Sequence, residues 1–330
     1  MCGITGYIGT RPAVEMALSN LKRLEYRGYD SSGVAFPGSG GIRVVRATGK
    51  IVNLERALET EEHQAHIAIA HTRWATHGRP TEANAHPHRD CTGRIAVVHN
   101  GIIENYAELR SELIANGHEF TSETDTEVIA HLIEQEIQGN MIVQETHTGG
   151  EALPAVAASS LHAPARHAHG VGLAEPGTGR SVADGIRAAL KRVTGSYAVA
   201  VLSLDTPDTV FVARKDSPLV VGLGLGENFI ASDIPAVMRY TRSVLLLEDG
   251  DFATITPDAV VVTDLNGLSL ERTPLEVTWD DEAAEKGGFP HFMLKEIHEG
   301  PRTVRNTLRG RLTDSGQRRH SASRRARSSS

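Results

Sequence analysis

Cys2 follows the initiator Met1. Initiator methionine is normally removed when the second residue is small, which leaves a cysteine carrying both a thiol and a free α-amine. A reference α-amine has a pKa of roughly 7.7–8.0, so a sizeable share is unprotonated near neutral pH. One residue then supplies a nucleophile and a base, a cysteine counterpart of the threonine and N-terminal amine pairing. The plainer alternative is a buried cysteine near a terminus, so the weight falls on what other chemistry the chain carries.

Three further stretches are dense in usable groups. Arg73-Trp74-Ala75-Thr76-His77 offers a permanent cation able to grip a carboxylate through two parallel hydrogen bonds, with Thr76 as an added donor. Asn100-Gly101 follows an apolar run; the pair commonly makes a turn, but its side-chain amide and backbone N–H can also serve as an oxyanion hole. Glu123-Thr124-Asp125-Thr126-Glu127 precedes a helix and suits capping, yet Asp125 can instead pair with an ammonium. A thiol, an amine base, a carboxylate clamp, an ammonium partner and two oxyanion donors are what an α-amino acid with a side-chain amide requires. The chemistry is acyl transfer, with ammonia leaving and water clearing a thioester.

His71, His77, His86, His88 and His99 raise a competing metal reading. No Cys or acid spacing around them completes a zinc pattern, so no metal and no cofactor are expected.

These groups need elements to hold them. Gly3–Ile8 reads as a strand, and Val14, Ala17, Leu18, Leu21 and Leu24 mark a helix by their spacing. Strands follow at Gly33–Phe36 and Ile42–Arg46 around a Pro-Gly-Ser-Gly-Gly loop, then at Ile67–Ala70 and Ile95–His99. Helices are predicted from about Asn105 to Gly117 and near Thr126–Ile137, with another carrying Val182, Ile186, Leu190 and Val193. Many short strands run from Tyr197 to Thr263. Strands and helices come in blocks, which points to a layered α+β or sheet-on-sheet architecture and away from a doubly wound one.

The totals agree. The 330 residues are 40% hydrophobic and 23% charged, with a formal charge of −7, so a sizeable core is affordable and no basic field invites nucleic acid. Two cysteines give no disulfide framework and fit a reducing cytoplasm. There is no secretory signal pattern and no apolar run long enough for a bilayer, so no membrane partner is expected.

The wording of several stretches is similar to one family. Met1-Cys2-Gly3-Ile4, Tyr26-Arg27-Gly28-Tyr29-Asp30-Ser31-Ser32-Gly33, His71-Thr72-Arg73-Trp74-Ala75-Thr76-His77-Gly78, His99-Asn100-Gly101-Ile102-Ile103-Glu104-Asn105 and Ser122-Glu123-Thr124-Asp125-Thr126-Glu127 resemble the class II glutamine amidotransferases. Tyr-Arg-Gly-Tyr-Asp and Thr-Arg-Trp-Ala-Thr-His resemble the branch that aminates fructose 6-phosphate, as do Ser217-Pro218-Leu219 and His291–Ile297. The resemblance implies an N-terminal-nucleophile hydrolase fold, a four-layer αββα sandwich of two antiparallel sheets. It implies Cys2 as nucleophile, with Asn100 and Gly101 as the oxyanion hole. Arg73, Thr76 and His77 would hold the glutamine carboxylate, Asp125 the α-ammonium, and Trp74 would gate an ammonia channel.

On this reading residues 2–290 are the amidotransferase domain, interrupted by a Gly/Pro/His-rich insertion at about 139–180. Residues 291–313 are a linker toward a sugar-isomerase half that the chain lacks, as after a truncation or frameshift. The Arg/Ser-rich residues 314–330 are expected to be disordered. The expected activity is hydrolysis of L-glutamine, with a sugar-isomerase chain or a second copy as protein partners. An idle glutamine-binding fragment is the alternative.

Overall fold

The computed structural model describes residues 2–75, 78–147, 180–278, 289 and 291–308. The predicted insertion, apart from its first helical residues, and the Arg/Ser tail lie outside the described residues. So do Thr76 and His77.

Fourteen strands are present among the described residues: β1 (Gly3–Gly9), β2 (Ser31–Gly38), β3 (Gly41–Thr48), β4 (Ile67–Arg73), β5 (His88–Arg89), β6 (Ile95–Ile103), β7 (Gly195–Ser203), β8 (Val210–Lys215), β9 (Val220–Leu223), β10 (Glu227–Ala231), β11 (Ser243–Leu246), β12 (Phe252–Ile255), β13 (Val260–Thr263) and β14 (Leu275–Glu276). The helices are α1 (Ala13–Lys22), α2 (Ile51–Leu58), α3 (Tyr106–Ala115), α4 (Glu127–His147), α5 (Val182–Arg192) and α6 (Phe292–Leu308). The chain divides after Thr278 into two compact units, and α6 belongs to the second.

The first unit holds two antiparallel sheets. One runs β14-β11-β9-β10-β1-β4-β2-β3 and the other β13-β12-β8-β7-β6-β5. Period-two alternation explains how they stack. Ala96 and Val98 of β6, with Ala198, Ala200 and Leu202 of β7, face Ile4 and Ile8 of β1 and Ile67 and Ile69 of β4 across the inter-sheet core. The intervening Ile95, Val97, Val199 and Val201 pack on α3, α4 and α5. On the opposite side, Tyr7, Ala68 and Ala70 lie under α1 and α2. Both faces of each central strand are therefore buried, which is why these runs are nearly all apolar. The result is the expected αββα sandwich.

Three local expectations change. The hairpin loop shrinks to Ser39-Gly40, because Pro37 and Gly38 pair with Ile42 and Gly41 and Gly40 takes φ +86°. The helix expected to close near Ile137 extends to His147. Most importantly, Asn100-Gly101 is not a turn. It lies inside β6, with Asn100 opposite Ala198 and Gly101 opposite Tyr197. Only glycine fits there: its φ is +142°, and a Cβ would stand 2.1 Å from the Ser196 carbonyl oxygen.

Candidate active site

Cys2 enters β1, whose register places Gly3 opposite Thr72 and Ile4 opposite His71 on β4. Its sulfur consequently meets the backbone just past the end of β4. The Trp74 N–H points at Sγ from 3.3 Å, and Sγ lies 3.7 Å from the Trp74 carbonyl oxygen. Burial pushes the thiol pKa up, opposed by the Trp74 hydrogen bond and the nearby positive charge of Arg73, while Asp125 adds to the rise. Both charged groups thus act on the sulfur, as they do on each other: burial lowers the Arg73 pKa, and Cys2, Asp125 and Asp30 resist that fall.

The Tyr26–Asp30 turn fixes this strand end. The Tyr26 hydroxyl and Arg27 Nη2 both donate to Asp233 Oδ2, at 2.8 and 2.5 Å. The Thr72 hydroxyl donates to the Gly28 carbonyl at 2.5 Å, and a Cβ on Gly28 would strike the Arg73 carbonyl carbon at 2.7 Å. Asp30 closes the clamp. Its N–H donates to the Arg73 carbonyl at 3.1 Å, and its carboxylate accepts the Ala75 N–H at 2.8 Å. Trp74 stays 43% exposed, edge-on to Tyr29 with ring centroids 5.5 Å apart.

Asn100 is oriented by hydrogen bonds to His71 and to the Cys2 carbonyl. His71 Nε2 is 3.1 Å from the His99 carbonyl oxygen, which can only accept, so Nε2 carries the proton. The same nitrogen is 2.9 Å from the Asn100 side chain, which must present Oδ1 to it. Nδ2 is then turned toward Cys2 and donates to the Cys2 carbonyl oxygen at 3.2 Å. An amide nitrogen has two hydrogens, so one donor remains beside the cysteine. His71 is fully buried and its pKa is pushed down to about 3 by desolvation, so the ring stays neutral and the arrangement persists across ordinary pH.

Asp125 is tied to the same sheet: its Oδ2 accepts the Ile103 N–H at 2.9 Å. The strip leading to it is pinned twice. The Glu123 N–H donates to Asn84 Oδ1 at 2.9 Å, and Asn84 Nδ2 donates to Glu123 Oε2 at 3.1 Å. Glu127 accepts from the N–H and hydroxyl of Thr121, at 2.8 and 2.7 Å, and from both Ser122 groups at 2.7 Å. Burial opposes its ionisation, but the nearby His131 imidazole and the hydrogen bonds from Thr121 and Ser122 outweigh burial and hold the carboxyl well below the usual range. Capping and presentation of Asp125 are therefore compatible.

Cys2 at the start of β1, Arg73 and Trp74 at the end of β4, Asn100 and Gly101 within β6 and Asp125 just before α4 are thus gathered together. His71, Asp30, Asn84 and Glu127 hold them and were not singled out from sequence for that task. His71 carried a signal, a histidine alternating into a strand otherwise apolar, but the metal reading absorbed it. His86 and His88 do not face solvent or an open site either: His86 stacks on His71 with centroids 4.1 Å apart, and His88 Nε2 meets the Thr124 hydroxyl at 2.9 Å.

Comparison with known proteins adds an independent line. A glutamine amidotransferase domain family model matches residues 55–148. The glutamine–fructose-6-phosphate aminotransferase [isomerizing] of Thermus thermophilus is 48% identical over 314 residues, 95% of this chain and 45% of that protein. The chain carries a glutamine amidotransferase domain. The enzyme of the same name from Thermococcus kodakarensis is 44% identical over 311 residues, 94% of this chain and 45% of that protein. This amidotransferase chain therefore spans about half the length of the curated relatives it matches. Among solved structures, an allosteric regulatory enzyme of purine biosynthesis superposes with a TM-score of 0.59 at 22% identity, covering 80% of this chain and 49% of that one. The Bacillus subtilis glutamine phosphoribosylpyrophosphate amidotransferase gives 0.58 at 22% identity, with the same coverage of 80% and 49%. These two neighbours carry the fold alone.

Proposed function

We propose that the chain hydrolyses L-glutamine to glutamate and ammonia. With Met1 removed, the Cys2 α-amine takes the thiol proton and Sγ attacks the side-chain amide carbon. The oxyanion that forms accepts hydrogen bonds from Asn100 Nδ2 and the Gly101 N–H. The carbon–nitrogen bond breaks, the nitrogen takes the stored proton and leaves as ammonia, and water cleaves the thioester to free glutamate and Cys2. Arg73 is assigned the substrate carboxylate, with Thr76 and His77 as added contacts, Asp125 the α-ammonium, and Trp74 the ammonia exit.

The supporting observation is an amide donor bonded to the Cys2 carbonyl, with a cation and an anion both acting on the Cys2 sulfur. The two charges match the two ends of a zwitterionic amino acid, and the second hydrogen of the amide donor is assigned to the side-chain carbonyl as it gains charge. No cofactor is needed for this chemistry. By likeness to the relatives, we further propose that the ammonia is passed to D-fructose 6-phosphate to give D-glucosamine 6-phosphate. The sugar-isomerase half would come from a second chain or from sequence beyond these residues. Residues 2–278 would then be the amidotransferase domain, shorter than the 2–290 expected, and α6 part of the connection. A cytoplasmic setting suits the two free thiols. Among the described residues, no helix is long and apolar enough to cross a membrane.

The test is ammonia release from L-glutamine by the purified chain, which Cys2→Ala abolishes; release that survives the substitution overturns the mechanism. The raised thiol pKa is the observation that favours a second reading, a pocket that binds glutamine without turnover. Saturable calorimetric binding of glutamine to wild-type chain that releases no ammonia selects it.

A further inference from the structure

A second cluster lies apart from the Cys2 sulfur, at the far end of the helix-covered sheet. Cys91, at an exposed position, and the more buried His118, His131 and Glu134 each offer one ligand atom, and all four atoms lie within 4.8 Å of one another. Cys91 Sγ is 3.6 Å from His118 Nδ1 and 3.4 Å from His131 Nδ1. Glu134 Oε2 is 3.1 Å from His118 Nδ1 and 3.4 Å from His131 Nδ1. Zn–S bonds of about 2.3 Å and Zn–N or Zn–O bonds of about 2.0–2.2 Å at tetrahedral angles put ligand atoms roughly 3.3–3.6 Å apart. Four of the six separations are therefore close to the edges of a zinc tetrahedron, and the other two lie within 4.8 Å.

Each ligand is held by its own backbone, independent of any ion. Cys91 sits in the turn between β5 and β6, closed by the Ile95 N–H on Asp90 Oδ1 at 2.9 Å, and its own N–H donates to Glu134 Oε2 at 3.0 Å. His118 follows the C-terminus of α3. There the His118 N–H reaches the Leu113 carbonyl at 3.0 Å and the Gly117 N–H the Ile114 carbonyl at 3.0 Å, with Gly117 at φ +93°. That is a Schellman closure, which fixes where the histidine emerges. His131 and Glu134 are one turn apart on α4 and share a face. Phe120 packs on the His131 ring with centroids 4.4 Å apart, and the Arg110 guanidinium covers Phe120 at 4.2 Å, screening one side from water. The outer nitrogen is supported as well. His131 Nε2 is buried without a hydrogen bond and faces Glu127 Oε1 at 3.8 Å, the position a carboxylate takes behind a ligating imidazole.

We propose that Cys91, His118, His131 and Glu134 form a tetrahedral structural zinc site. One thiolate and one carboxylate neutralise the dication, the two imidazoles bind as neutral rings through Nδ1, and the thiol proton is released to solvent. The mixed sulfur, nitrogen and oxygen set suits zinc better than magnesium or calcium, which take oxygen ligands. The ion ties the β5–β6 turn, the α3 terminus and α4 together. Through His131 and Glu127 it also steadies the Thr121–Ser122 backbone that leads to Asp125.

The test is metal uptake by the full chain after chelator stripping. One equivalent of zinc should bind per chain and raise the melting temperature. Cobalt(II) in its place should show tetrahedral ligand-field bands and a thiolate-to-metal charge-transfer band. The chain has two cysteines, so that band must persist in Cys2→Ala if Cys91 is the sulfur ligand. A Cys91→Ala, His131→Ala double variant should lose the bound equivalent. Failure of wild-type chain to take up zinc, absence of the charge-transfer band in Cys2→Ala, or full retention of zinc by the double variant each overturns the site.

Discussion

Replacing Asn100 with alanine isolates the amide donor from the scaffold that aims it. Asn100 makes two described hydrogen bonds, accepting from His71 Nε2 and donating to the Cys2 carbonyl oxygen. His71 Nε2 keeps the His99 carbonyl when the amide is gone, so no buried donor is stranded. The structural cost is then that of one ordinary hydrogen bond, about 1 kcal/mol, or roughly 1–2 °C in melting temperature for a chain of this size. The catalytic cost is larger because the donor acts on charge that develops only as the sulfur attacks. Losing one such donor costs about 2.7–4 kcal/mol, a fall of roughly 10²–10³ in kcat with KM nearly unchanged. Ammonia release at saturating and limiting L-glutamine separates the two parameters. Asn100→Asp is the companion: it still accepts from His71 but offers no donor, so it should fall at least as far. A kcat within about threefold of wild type, or a defect confined to KM, refutes the oxyanion assignment.

Two further outcomes follow from the same geometry. Arg73→Lys keeps the charge but not the paired donors, so KM for glutamine should rise roughly tenfold or more, while a fall confined to kcat contradicts the carboxylate assignment. The second concerns acid. Burial lowers the pKa of His71 to about 3 and depresses those of His86, His88 and His99. Below the ordinary histidine value of about 6.5 the unfolded chain binds protons that the folded chain refuses, so stability falls as pH drops from there toward the folded pKa values. Calorimetric melting temperature should decline steeply between about pH 6.5 and 4, and a flat profile would contradict four buried neutral rings.

Legibility in the sequence followed the range of the interactions involved. β6 and β7 could be read because alternate residues face alternate cores, and α1 and α5 because their apolar stripes repeat at helical spacing. The four-layer stacking came through the family resemblance; periodicity alone left a choice between layered architectures. The local turn propensity of Asn100-Gly101 yields to a ladder with Gly195–Ser203, nearly a hundred positions away, which no local pattern reveals. The clamp from Tyr26, Arg27 and Asp30 needs Asp233 and Ala75, which no local pattern joins. Cys91, His118, His131 and Glu134 meet only because α3 and α4 fold back over β5 and β6. Their spacing matches no compact metal motif, and only the His-x-x-Glu pair on α4 could have prompted a search.

The most direct measurement is intact and peptide mass spectrometry of the chain after exposure to a glutamine analogue carrying an electrophilic ketone carbon in place of the amide. The account predicts loss of Met1 and a single adduct on Cys2, absent when excess L-glutamine competes. An adduct on Cys91, or a chain that retains Met1 while releasing ammonia at the full wild-type rate, would contradict it.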